Sequence, residues 1–481
     1  MENSLYETLK ATLMNNLHRK IKASGSPLLH VKLAPRNEMK NSLRFLVSGE
    51  SVKKFVRKHH YMQKSVMLLI LCSLVFISCS ERSRDNPFDP NNPVTRGAPT
   101  GFRITSNRHT VTLEWNPIDV SELTSYKLHR GINDSTLNEL VEVDSKTTLY
   151  YDSNLIYDNT YYYSIQGITE FDDGNLSLIE KIIPGNYNIW IADYWNGTVW
   201  RISYDGAHSI GSLYNISPKE IVYNPKTKSI WIADYWSRNV IEISPEFSQI
   251  REILLPDMPI DMAIDTTGGI IYTLLWKNRI IQTYSIEGVY KNSVTIPFSI
   301  SKNSSIVYDE KCSTLWLSEP VNSVLMRISS DLDSNSIAQY TQFDNPRKME
   351  PDPINGGTWI ASNSGIIHFN SDSVITLYKT DYSIMDISVH PGNGDCYYIG
   401  RRKTDNNWIV GKIAIIPVVQ DSIIFNNSYP NVYSIQVIPG STGTGFILSQ
   451  AGTGKLLRFD HLGRLIGEMS YFDWDLDFAL E

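Results

Sequence analysis

The stretch Ile189-Trp-Ile-Ala-Asp-Tyr-Trp195 returns almost letter for letter as Ile230-Trp-Ile-Ala-Asp-Tyr-Trp236. Looser copies follow at Ile270–Trp276, Leu315–Glu319, Thr358–Ser362, Cys396–Gly400 and Gly445–Ser449. Successive copies lie about 43 residues apart, and apolar residues alternate with period 2 rather than 3.6. That combination predicts one four-stranded sheet per repeat, arranged as blades around an axis, and excludes a helical solenoid. After each strong strand a short turn leads to a second one, at Val199–Ser203, Val240–Ser244, Ile280–Tyr284, Val324–Ser329, Ile366–Asn370, Ile409–Ile415 and Lys455–Asp460. An inner strand precedes each strong strand except the first, and opens on Glu220, Asp261, Ser305, Lys348, Asp386 and Ser434. The missing one is supplied by Asp475-Leu-Asp477-Phe-Ala-Leu-Glu481, which matches Ile260-Asp261-Met-Ala-Ile-Asp265 and places Asp477 beside Asp261 in register. Closure by this strand removes two exposed sheet edges. The expectation is an all-β chain ending in a seven-bladed propeller over 185–481. Six blades are the alternative, with the fifth or sixth unit irregular.

The units read apolar-Ala-Asp, a turn, then an apolar strand, and so resemble the NHL repeat and its YVTN/SMP-type relatives. Residues 191–202 and 232–243 match best, and later units drift. The resemblance implies that Asp193 and Asp234 stabilise the turns.

Residues 98–184 contain seven short alternating runs, at Gly101–Thr105, Thr110–Trp115, Ser125–Arg130, Glu139–Val143, Thr148–Asp152, Thr160–Ile168 and Leu176–Ile183. That density predicts a sandwich. Trp115 as a core indole, Tyr126, and Tyr161-x-Tyr163-x-Ile165-x-Gly167 resemble a fibronectin type III domain. The resemblance implies that the Tyr161 hydroxyl bonds back to the preceding loop.

The 481-residue length suggests about two to four domains. Apolar residues at 42% and charged ones at 20% exclude wholesale disorder and a polytopic membrane protein. The net charge of -7 hides a split, because residues 1–61 hold 12 Lys and Arg against 4 Asp and Glu. From Cys79 onward there are 31 basic and 47 acidic residues, a balance that argues against nucleic acid as a main partner. Met62-Gln-Lys-Ser followed by the apolar run Val66–Ile77 and then Ser78-Cys79 has the form of a secretory signal. It resembles the bacterial lipoprotein type, with Phe76 where leucine is usual. The resemblance implies a signal peptide over 62–78, lipidation at Cys79, a cell-envelope location and, from Ser80, the outer membrane. On this reading residues 1–61 are dispensable or mis-assigned, and 79–97 form an extended Pro/Asn-rich tether. Of the four cysteines only Cys312 and Cys396 fall in the folded part, and two buried thiols are expected rather than a disulfide.

Candidate chemistry gathers where the turns after the strong strands share a face with the inner-strand openings. Tyr194, Trp195, Tyr235, Trp236 and Trp276 would stand on adjacent blades, where indoles stack on sugar rings or grip a peptide. Their other role would be to seal blade against blade. Glu220, Asp261, Lys348, Asp386 and Asp477 would ring the channel mouth, where like charges raise one another's pKa or recruit a divalent cation. Related lactonase-type propellers resemble this arrangement; otherwise these carboxylates cap loop amides. Gly452-Thr-Gly-Lys455 lacks the first glycine of a phosphate loop, and no HExxH or G-x-S-x-G occurs. The expected function is a lipid-anchored envelope protein binding glycan, peptide or an envelope protein partner, with no cofactor. The alternative is a metal-dependent hydrolase or lyase using the carboxylate ring.

Overall fold

The computed structural model describes residues 84–481 except 372–374, 406, 415–418, 425–430 and 474–475, with backbone only for 419–424. The expected 1–61 extension, the 62–78 signal peptide and the lipidated Cys79 lie outside the described residues. Among the described residues no helix is long and apolar enough to cross a membrane.

The chain from 189 onward is a β-propeller. Among the described residues seven four-stranded antiparallel sheets follow one another, each running outward in chain order from an inner strand. The first sheet alone breaks that order: Ile189–Asp193, Thr198–Ile202 and Ser209–Tyr214 are joined by Leu476–Leu480 from the far end of the chain. Asp477 faces Ala192 there, as Glu220 faces Ala233 in the second sheet. The inner strands touch in succession, and Leu476–Leu480 touches those on both sides of it, so the ring closes as the register of Asp477 with Asp261 requires.

The repeated Ile-Trp-Ile-Ala-Asp strand is buried at every position because a sheet inside such a ring has a neighbour on each face. Ile189 and Ile191 pack with Ile447 and Leu456 of the seventh sheet, while Trp190 and Ala192 pack with Ile221 and Ile232 of the second. Alternation therefore sorts residues between two apolar interfaces rather than between core and water. Each large side chain so buried contributes roughly 1.5–3 kcal/mol.

Residues 103–182 form two further sheets. Arg103–Asn107, Thr110–Glu114 and Leu149–Asp152 make one; Asn138–Asp144, Leu123–Gly131 and Tyr161–Thr169 make the other. The last expected run is split in two, Asp173–Leu176 and Glu180–Ile182, both pairing with Tyr161–Thr169. Trp115, Tyr126 and Tyr163 are buried between the sheets. The Tyr161 hydroxyl accepts the Ile156 amide at 3.0 Å, and the Tyr126 hydroxyl accepts that of Ile118 at 2.9 Å.

Two expectations need correction. The described part of the tether, 84–97, is not extended: Asn92 Oδ1 accepts the Val94 and Thr95 amides, and Phe88 packs on the sandwich core. The aromatic ring gives these polar residues an anchor that their Pro and Asn content does not reveal. Cys396 is buried and Cys312 only half-buried; both are free thiols.

The sandwich is docked on the propeller. Asp158 accepts the Tyr204 hydroxyl at 2.7 Å and the Ser441 amide at 2.6 Å. Buried Asp205 accepts the Ile183 amide at 3.1 Å, where the chain passes between the two.

Candidate functional site

All five charged residues assigned to the channel mouth line one cavity of about 560 Å³, together with Ser305 and Ser434. They meet because each opens an inner strand at the same register. Asp261 faces Leu274 and Asp386 faces Ile399, the counterparts of Ala192 and Ala233. Tyr194, Pro320 and Val321 line the same cavity, so the turns do share this face.

The carboxylates are largely committed. Asp477 Oδ2 accepts the Ile221 amide at 2.9 Å, Asp261 Oδ2 that of Ile306 at 2.8 Å, and Asp386 Oδ2 that of Ile435 at 2.8 Å. Each thus ties its own inner strand to that of the next sheet, and the amides capped are those of strands rather than of loops. Lys348 Nζ lies 2.9 Å from Asp477 Oδ1. Burial works against the Lys348 charge, yet Asp477, Glu220, Glu350 and Asp386 together hold its pKa well above the usual lysine range.

Glu350, which sequence reasoning missed, is a fifth carboxyl of the same cavity. It lies two residues past Lys348, and period 2 returns it to the same face. Burial, and then the charges of Asp386, Asp477 and Asp261, push its pKa up to about 7 against the pull of Lys348. Asp386 rises to about 7, chiefly by burial. Burial and the neighbouring Asp261 and Asp477 raise Glu220 well above the carboxylate range, and it shares a hydrogen bond with Asp261. Among the described residues Glu220 and Glu350 are the members of the ring to which no backbone amide donates.

A divalent cation does not fit this mouth. Among the described residues no three His, Cys, Asp or Glu side chains converge to hold a metal ion. Asp477, Asp261 and Asp386 each give an oxygen to a strand amide, and the Lys348 ammonium supplies positive charge inside the ring.

The five aromatic candidates separate into surface and core. Trp195 and Trp236 are 60% and 64% exposed, at equivalent turn positions of adjacent sheets. Tyr235 is fully buried against Met258 and Ile260, so its assignment to the binding surface is wrong. The turn geometry explains the split. Asp234 Oδ1 accepts the Ser217 and Ser237 amides, which turns Tyr235 inward and leaves Trp236 outside. Asp193 does the same work through Asn196. Tyr194 and Trp276 are half-buried, with Lys219 Nζ 4.1 Å from the ring of the first and Lys302 Nζ 4.5 Å from that of the second.

No protein-family model matches the chain, and no curated protein matches it. Solved structures similar to it include a functionally unknown protein from Desulfotomaculum acetoxidans, 13% identical over 61% of this chain and 98% of that one, with a TM-score of 0.49. A putative 6-phosphogluconolactonase from Bacteroides fragilis is 11% identical over 62% of this chain and 98% of its own, with a TM-score of 0.47. A streptogramin B lyase is 12% identical over 60% and 89%, with a TM-score of 0.44.

Proposed function

We propose that this chain is a lipid-anchored cell-envelope binding protein, held at a bacterial outer membrane through Cys79, whose propeller holds a glycan, a peptide or an envelope protein on the face that carries the channel mouth. The observation that carries the binding role is the pair Trp195 and Trp236. Large apolar rings are normally buried, and here two stand exposed at matching positions beside an open cavity. Their flanks rest on Tyr194 and Tyr235, with ring centroids 5.1 and 4.8 Å apart, so the indoles are held ready rather than left to collapse. The small sandwich is read as a fibronectin type III domain, supported by the Tyr161 hydroxyl bond and the Trp115 core. The anchor is supported by the signal-like run before Cys79.

A broad glycan array probed with the full chain, with Trp236→Ala alongside, tests the binding role. Binding that the substitution abolishes is expected. Binding indifferent to it would move the site away from the indoles. Metabolic labelling with a palmitate analogue, lost in Cys79→Ser, tests the anchor.

A further inference from the structure

The loops of the indole-bearing face are basic over the second to fourth sheets, in a chain that is acidic overall from Cys79 onward. The turn 194–197 and the segments 215–217, 235–238, 255–258, 276–279, 296–304 and 320–323 of the second to fourth sheets contain one acidic residue, Asp257, while the loop that leads the closing strand into the first sheet carries Asp473, whose amide donates to Asp193. Asp257 is buried and accepts the Asn278 amide at 2.9 Å, so it presents no charge outward. Arg238, Lys277, Arg279 and Lys302 are all exposed. Among the described residues none of the four is in an ion pair. Trp195 and Trp236 stand on the same arc.

We infer that this arc binds an acidic polysaccharide, a chain of pyranose rings bearing carboxylate or sulfate groups. The inference rests on the upper-face binding role proposed above and names its ligand class. Indole faces match the apolar faces of pyranose rings, and unpaired cations match their anionic substituents. Because the cations and indoles recur from one sheet to the next, they suit an extended polymer better than a single small ligand.

The test compares the full chain with alginate, a polyuronate, with dextran, a neutral glucan, and with duplex DNA, at low and high ionic strength. The variants are the triple Arg238→Ser, Lys277→Ser, Arg279→Ser and the double Trp195→Ala, Trp236→Ala. All five side chains are exposed, so unchanged thermal unfolding is the folding control. Alginate binding is expected to fall with salt, to weaken about tenfold or more in the triple variant, and to be lost in the double variant. Arg238→Lys should retain it. Dextran bound as tightly as alginate, with the triple variant unaffected, would overturn the acidic ligand class and leave the upper-face glycan site standing. DNA bound as well as alginate would reduce the arc to an unspecific polyanion surface and overturn the inference. No binding to either glycan by the folded chain would sink both the inference and the glycan form of the proposed function.

Discussion

Arg201 and Glu481 form a two-pronged ion pair: Arg201 Nε donates to Glu481 Oε2 at 2.7 Å, and Nη2 to Oε1 at 2.7 Å. Both side chains are nearly buried, at 8% and 11% exposure. Trp190 Nε1 donates to the same carboxylate at 2.9 Å, and the Glu481 amide donates to the Asn188 carbonyl at 3.0 Å. One residue at the end of the closing strand thus locks two positions of the first sheet and the residue just before it. Paired at both oxygens, the carboxylate compensates a guanidinium that would otherwise lie unbalanced.

Removing that lock should open the ring. Glu481→Ala leaves Arg201 buried without its partner, a loss of about 3–5 kcal/mol. Glu481→Gln, which keeps one acceptor, should cost less. Denaturant unfolding followed by tryptophan fluorescence checks the order. Equal stability of Glu481→Ala and the parent would show that closure rests on the backbone pairing alone.

Adjacent residues of one turn should respond in opposite ways. Trp236→Ala should change stability by no more than about 0.5 kcal/mol while removing ligand. Tyr235→Ala should cost about 3–5 kcal/mol, because it empties a fully buried site. Tyr235→Phe should be neutral or stabilising, since the buried hydroxyl has no hydrogen-bond partner among the described residues. Thermal unfolding of the three variants is the measurement.

The channel mouth should make stability fall with rising pH. Glu350 and Asp386 reach pKa values of about 7 when folded, above those of unfolded carboxyls. The folded chain therefore holds more protons between the unfolded and folded values. Their contribution is fully present below the unfolded pKa and is lost as pH rises toward and through about 7. Glu350→Gln should flatten this slope and make the chain more stable than the parent at alkaline pH. Lys348→Met should steepen it, because the carboxyls lose their internal cation. Denaturant midpoints measured across the interval, as differences from the parent, separate this from carboxylates such as Asp352 and Asp460, whose pKa values are lowered and whose contribution runs the other way.

Asp158 should govern how firmly the sandwich sits. Asp158→Ala strips the acceptor from Tyr204 and Ser441, and should speed protease cleavage between residues 183 and 188 several-fold at little cost to propeller unfolding. Cleavage at the parental rate would mean that the apolar packing around Ile183 and Tyr204 is sufficient by itself.

Aligning the units is enough to find the repeat, its period-2 strands, the common register of the inner strands and closure by the segment ending at Glu481. These are local patterns, and a ring of sheets repeats them, so aligning the units already brings Asp477, Glu220, Asp261, Lys348 and Asp386 to one mouth. Glu350 was legible too, because an inner strand returns to the same face after two residues. What those groups do depends on contacts that no alignment of the units shows. Whether a carboxylate faces a ligand or the amide of the next sheet depends on residues about 45 or more positions away, as with Asp261 and Ile306 or Asp477 and Ile221. Tyr235 and Trp236 are equally aromatic and adjacent, and an aspartate-capped turn sends one inward and the other out. The docking of Asp158 on Ser441 and the lock of Arg201 on Glu481 join positions separated by 283 and 280 residues. No local period encodes such pairs, because they form only when the ring has already brought its ends together.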